Sequence, residues 1–100
     1  MDIKFTGDNI KITPSLREIT LEKFKKLDHH GCHITSAQVV FRVEKLLQRA
    51  EATIHLNNYE LCAHAESENM YTTIDRLVDK LNKQLIKHKE KTLDRRDHPA

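Results

Sequence analysis

Glycine is nearly missing from this sequence, with Gly7 and Gly31 the only two in 100 residues. No Gly-rich loop that cradles a phosphate on backbone amides fits that count, because such loops need several positions free to take positive φ. Proline is as rare, at Pro14 and Pro99, and with 38% hydrophobic residues the chain is too apolar and too poor in breakers to be disordered. The two cysteines, Cys32 and Cys62, are too few for a disulfide framework and form no CxxC pair, so reduced thiols are expected. No apolar run approaches the roughly 20 residues of a membrane span, and Met1–Ile10 has no apolar signal-peptide core. A soluble, cytoplasmic protein without a membrane partner is expected. Its length of 100 residues is one domain's worth of chain.

What the sequence does have is charge, unevenly placed. Residues 1–68 hold nine Lys/Arg against ten Asp/Glu, whereas residues 69–100 hold eight against five. Between Lys80 and Lys91 five lysines face the single acid Glu90. A dense basic segment points to a polyanion partner more than the overall +2 does.

Ile3 and Phe5 alternate with Lys4 and Thr6 as a first strand, closed by Gly7-Asp8-Asn9. Thr13 suits a helix N-cap and Pro14 the first helical position, which predicts a helix to about Asp28 with Leu16, Ile19, Phe24 and Leu27 on its apolar face. Ile34–Lys45 reads as a second strand, Leu46–Arg49 as a connection, and Ala50–Asn57 as a third strand. Asn57-Asn58 predicts a tight hairpin into a fourth strand through Leu61, Ala63 and Ala65. Alanines at 50, 52, 63 and 65 leave room for a helix close to the sheet. Asn69 caps a last helix, predicted from Met70 to about Lys91. The expected fold is α+β, in the order β-α-β-β-β-α: a four-stranded mixed sheet with two helices on one face. Residues 1–91 form the expected domain and 92–100 a short flexible tail.

Arg76, Lys80, Lys83, Lys87 and Lys91 recur at helical spacing as a row whose centre lies roughly 140° from the apolar face. Such a row matches backbone phosphates, each neutralised with release of counterions; the plainer alternative is a solvated helix face. Asp28-His29-His30-Gly31-Cys32-His33 holds zinc-type ligands, but crammed into six residues it reads as a polar turn rather than a metal site. His55 and His64 fall on the outward face of adjacent strands as possible neighbours. Cys62 and His64, two residues apart on one strand face, are separated by about 7 Å, too far for a thiolate–imidazole pair. No nucleophile, cofactor site or small-molecule substrate site emerges, so an enzyme is not expected.

The sequence resembles the short form of the bacterial hibernation-promoting factor and ribosome-associated inhibitor family, also called sigma-54 modulation proteins. Thr6-Gly7-Asp8-Asn9, Ile12-Thr13, Leu16-Arg17-Glu18, Lys23-Phe24, Lys26-Leu27, Val43-Glu44-Lys45 and Ala52-Thr53-Ile54-His55 carry the resemblance. Met70-Tyr71, Ile74-Asp75, Asp79-Lys80-Leu81, Gln84-Leu85 and Lys87-His88-Lys89 carry it most specifically. The resemblance implies a protein that lodges in the decoding channel of the 30S subunit, contacts 16S rRNA and blocks mRNA and tRNA by occupancy. It also implies action with ribosome modulation factor to favour inactive 100S dimers of 70S ribosomes in stationary phase or stress. Its basic positions map onto Lys23, Lys26, Lys45, Lys80, Lys87, His88, Lys89 and Lys91 as rRNA contacts, to which the helical row adds Arg76 and Lys83. The turn 28–33 and the Asn57-Asn58-Tyr59 hairpin depart from the family pattern. The long-form dimerisation domain and most of the inhibitor subtype's extended tail are missing, which favours the dimer-promoting subtype. Two alternatives are a ribosome-associated inhibitor that silences single ribosomes and a non-ribosomal module that regulates transcription.

Overall fold

The computed structural model describes residues 2–30 and 33–97, with side chains described for 2–28 and 33–89. Period-two alternation sorts four segments into one sheet, ordered β1 (Asp2–Asp8), β2 (Ile34–Glu44), β3 (Leu47–Leu56) and β4 (Tyr59–Ser67). β1 runs parallel to β2, and the other pairs are antiparallel. With α1 (Pro14–Phe24) and α2 (Met70–Asp97) the order is β-α-β-β-β-α, as the sequence predicts.

Register decides which face is apolar. Val39 is opposite Ala52, Phe41 opposite Ala50 and Ile54 opposite Leu61, so these side chains share one side of the sheet. Leu16 and Phe24 of α1 and Ile74, Leu77, Leu81 and Leu85 of α2 join them in a single core, which places both helices on that side. Each such large side chain, once buried, contributes about 1.5–3 kcal/mol. Ala50, Ala52 and Ala65 are buried beneath α2, which packs on β3 and β4.

Both predicted caps form. Thr13 Oγ1 accepts from the Leu16 amide at 3.2 Å, and Asn69 Oδ1 accepts from the Tyr71 amide at 2.8 Å. The buried Thr73 hydroxyl donates to the Gln48 carbonyl at 2.9 Å, tying the start of α2 to β3.

Four expectations need correction. The helix from Pro14 ends at Phe24 and continues as a 3-10 turn, Lys25–His30; residues three apart eclipse in that geometry, which suits Phe24 and Leu27, both fully buried. The connection at 46–49 shrinks to Lys45-Leu46, because Lys45 takes a left-handed φ of 54° and Glu44 pairs directly with Leu47. α2 continues past Lys91 to Asp97; nothing in Thr92–Asp97 breaks a helix, and the first obstacle is Pro99, which disfavours helix at the residue before it. His55 and His64 are not neighbours: register sets His55 against Glu60, 3.3 Å away from Nδ1, and His64 against Glu51.

Candidate nucleic-acid interface

The long amphipathic helix α2 presents its cations on two sides. Arg76, Lys80, Lys83 and Lys87 form one exposed row at spacings of four, three and four. The two ends of that row differ. Arg76 Nη1 donates to the Glu66 carbonyl at 3.1 Å and Lys80 Nζ to the His64 carbonyl at 2.8 Å. The row is therefore partly engaged: its first two members reach over to the outer edge of β4. Among the described residues Lys83 makes only an exposed i,i+4 pair with Asp79 at 3.2 Å, worth about 0.3–0.5 kcal/mol. Lys87 has no partner among the described residues.

Lys89 lies about 200° round the helix from Lys87 at ~100° per residue, which puts it on the side that carries Asp75 and faces α1. His88 turns inward, half-buried, with its ring stacked on Tyr59 at 4.3 Å between centroids. The side chain of Lys91 lies outside the described residues.

The first helix and the 3-10 turn that follows it bring lysines to this surface. Lys23 of α1 forms an ion pair with Asp75 of α2, a contact across 52 residues that no local pattern signals. Lys26 lines the same interhelical cleft with Ile19, Glu22, Tyr71 and Asp75. Lys45 is exposed in the β2–β3 turn and borders a shallow depression with Leu46, Leu47 and Glu68, next to the start of α2. Tyr71, which walls the interhelical cleft, and Gln84, whose Nε2 donates to the Cys62 carbonyl at 3.0 Å, enter the sequence reading only as part of the resemblance. The available signal for Tyr71 was an aromatic lying off the apolar face of its helix.

The open side of the sheet is chemically different. Asp2, Asp8, Glu44, Glu51, Glu60 and Glu66 lie there against Lys4, Arg42 and Arg49. Two of those cations are already paired, Arg42 with Asp8 at 3.0 Å and Arg49 with Glu66 at 3.1 Å. Apart from the imidazoles of His55 and His64, no aromatic side chain among the described residues faces outward there, so the Phe/Tyr stacking platform of RNA-binding four-stranded sheets is missing. Cys62 on this face is exposed, with Thr53 Oγ1 at 3.7 Å and Glu60 Oε1 at 3.9 Å as its nearest polar contacts.

Gly31 and Cys32, and the side chains of His29 and His30, lie outside the described residues, as does any judgement on that turn as a ligand set. Among the described residues no group of three or more His, Cys, Asp or Glu could hold a metal ion, and no helix is long and apolar enough to cross a membrane.

The family model described as "Sigma 54 modulation protein / S30EA ribosomal protein" matches residues 3–93. A ribosome hibernation promoting factor from Azotobacter vinelandii is 47% identical over 95 residues, which cover 95% of this chain and 89% of that protein. Its counterpart from Escherichia coli strain K12 is 45% identical over 91 residues, covering 91% and 96%. A ribosomal subunit interface protein from Coxiella burnetii shares the fold with a TM-score of 0.79 at 35% identity, over 90% of this chain and 99% of its own. The N-terminal domain of Thermus thermophilus Protein Y does so with a TM-score of 0.82 at 30% identity, over 88% and 99%. Ribosome factors of this kind are not enzymes. With a match across nearly the whole domain, and relatives this similar over nearly their full lengths, the chain belongs to the sigma 54 modulation protein / S30EA ribosomal protein family.

Proposed function

We propose that this protein is a ribosome hibernation factor that binds 16S rRNA in the decoding channel of the 30S subunit and excludes mRNA and tRNA. In this reading it acts in the cytoplasm with ribosome modulation factor, and promotes inactive 100S dimers of 70S ribosomes under stress. The observation that carries the reading is the segregation of charge: the helical side displays Lys23, Lys26, Lys83, Lys87 and Lys89, while the open sheet face is acidic. Phosphate attracts the first surface and repels the second. Relatives named for ribosome hibernation and for the ribosomal subunit interface support the same direction.

A sucrose-gradient profile of ribosomes with and without the protein tests the reading, because it separates binding from dimerisation. Lys87→Glu with Lys89→Glu is the informative variant, since neither lysine holds the fold together, whereas Lys80 also seals β4. The doubly substituted protein should leave the ribosomal fractions with an unchanged melting curve. Undiminished comigration at low salt would rule out these lysines as the binding surface. Single silenced ribosomes in place of dimers would assign the inhibitor subtype. Recovery of RNA polymerase or its sigma factor without small-subunit rRNA would favour the transcriptional reading that the older family name carries.

A further inference from the structure

We propose that the cleft between α1 and the first turn of α2 takes up one unstacked RNA base, its ring stacked on Tyr71 and its phosphate on Lys26. The inference rests on the reading above that the helical side meets rRNA, and it names what one part of that side recognises. The cleft has a volume of about 390 Å³ and is walled by Ile19, Glu22, Lys23, Lys26, Tyr71 and Asp75. Tyr71 is the anomaly in it. Its neighbours Met70, Thr73 and Ile74 are buried, yet Tyr71 is 47% exposed and its ring stacks on no other aromatic among the described residues. A ring left half in water gives up burial that a base would restore, and aromatic platforms of this kind hold splayed-out bases.

The charges around the ring have different assignments. Lys23 is committed to Asp75, whereas Lys26 and Glu22 have no partner among the described residues. One cation free for a phosphate, beside one carboxylate free to accept from N–H groups, suits a nucleotide better than a second phosphate, which Glu22 would repel. Carboxylates accept from the amino groups of cytosine, adenine or guanine, whereas uracil offers a single N3–H donor flanked by two carbonyl oxygens that a carboxylate repels. The cleft therefore takes an amino-bearing base in preference to uracil.

The full chain with p-benzoylphenylalanine in place of Tyr71 is irradiated on purified small ribosomal subunits and the cross-links are mapped, while Tyr71→Phe and Tyr71→Ala are compared for subunit affinity. Expected are cross-links to a 16S rRNA nucleotide other than uridine, about a tenfold loss of affinity for Tyr71→Ala, the size of one base–aromatic stack, and near-complete retention for Tyr71→Phe. Cross-links to a ribosomal protein, cross-links to uridine, or equal affinity for Tyr71→Ala overturn the inference while the ribosomal reading stands. Unsubstituted protein that fails to bind subunits overturns both. An unchanged urea midpoint for Tyr71→Ala assigns the loss to contact rather than to folding.

Discussion

Lys45 occupies a backbone position that lysine does not favour. Its φ of 54° lies in the left-handed region, where Gly and Asn sit at lower cost and where a non-Gly residue carries strain of order 1 kcal/mol. The other left-handed non-glycine positions among the described residues, Asn9 and Asn58, are of the type that tolerates the region. Strain kept at an exposed cation is the pattern of a residue retained for contact rather than for stability. Lys45→Asn is expected to raise stability by about 0.5–1 kcal/mol in urea denaturation and at the same time to weaken ribosome comigration. A variant that gains stability with full binding would show Lys45 to be dispensable. The same residue explains a failure of sequence reading: a two-residue turn announces itself through Gly, Asn or Asp, so Lys45-Leu46 left Leu47–Arg49 looking like loop. Asn57-Asn58 carried the usual signal and was legible.

At the scale of elements, α2 and β4 are fastened by matched periods. Arg76, Lys80 and Gln84 step along the helix by four residues, about 6 Å, and the carbonyls of Glu66, His64 and Cys62 step back along the strand by two, about 6.6 Å. The steps agree closely enough for each donor to meet its acceptor, at 3.1, 2.8 and 3.0 Å. These bonds occupy outward carbonyls of an edge strand, a row that otherwise templates pairing with another chain. Gln84→Ala should therefore cost about 1 kcal/mol, and Lys83→Ala, which loses only a pair exposed to water, less than about 0.5 kcal/mol; equal urea midpoints for the two would dismiss the seal. Helical periodicity made the row visible and the apolar face beneath it correct. It did not reveal that Arg76 and Lys80 bend back to the sheet, because a wheel gives the direction in which a side chain leaves the helix and not where a long arm ends. The Lys23–Asp75 pair was hidden for a related reason, since it depends on two helices meeting across the fold.

For the whole molecule, polarity of charge determines orientation on a polyanion. Described residues of the helical side carry nine cations, Arg17, Lys23, Lys25, Lys26, Arg76, Lys80, Lys83, Lys87 and Lys89, against Glu18, Glu22, Asp28, Asp75 and Asp79, while the open sheet face has six acids to three bases. Summed into a net +2, the two sides nearly cancel. In the proposed contact with rRNA they would not, because screening confines each interaction to about 8–10 Å at physiological salt, so only the cations on the docked side would count. The dependence of affinity on salt measures that number directly. Each neutralised phosphate contributes a slope of roughly −0.7 to −0.9 in log affinity against log salt. Lys87→Gln should reduce the slope by about 1, and Glu51→Gln, on the sheet face away from the helices, should leave it unchanged. The two substitutions alter net charge by the same amount in opposite directions. If overall charge governed binding they would shift affinity symmetrically, whereas a docked helical side makes the lysine change dominate, and titrations at three or more salt concentrations separate the two cases.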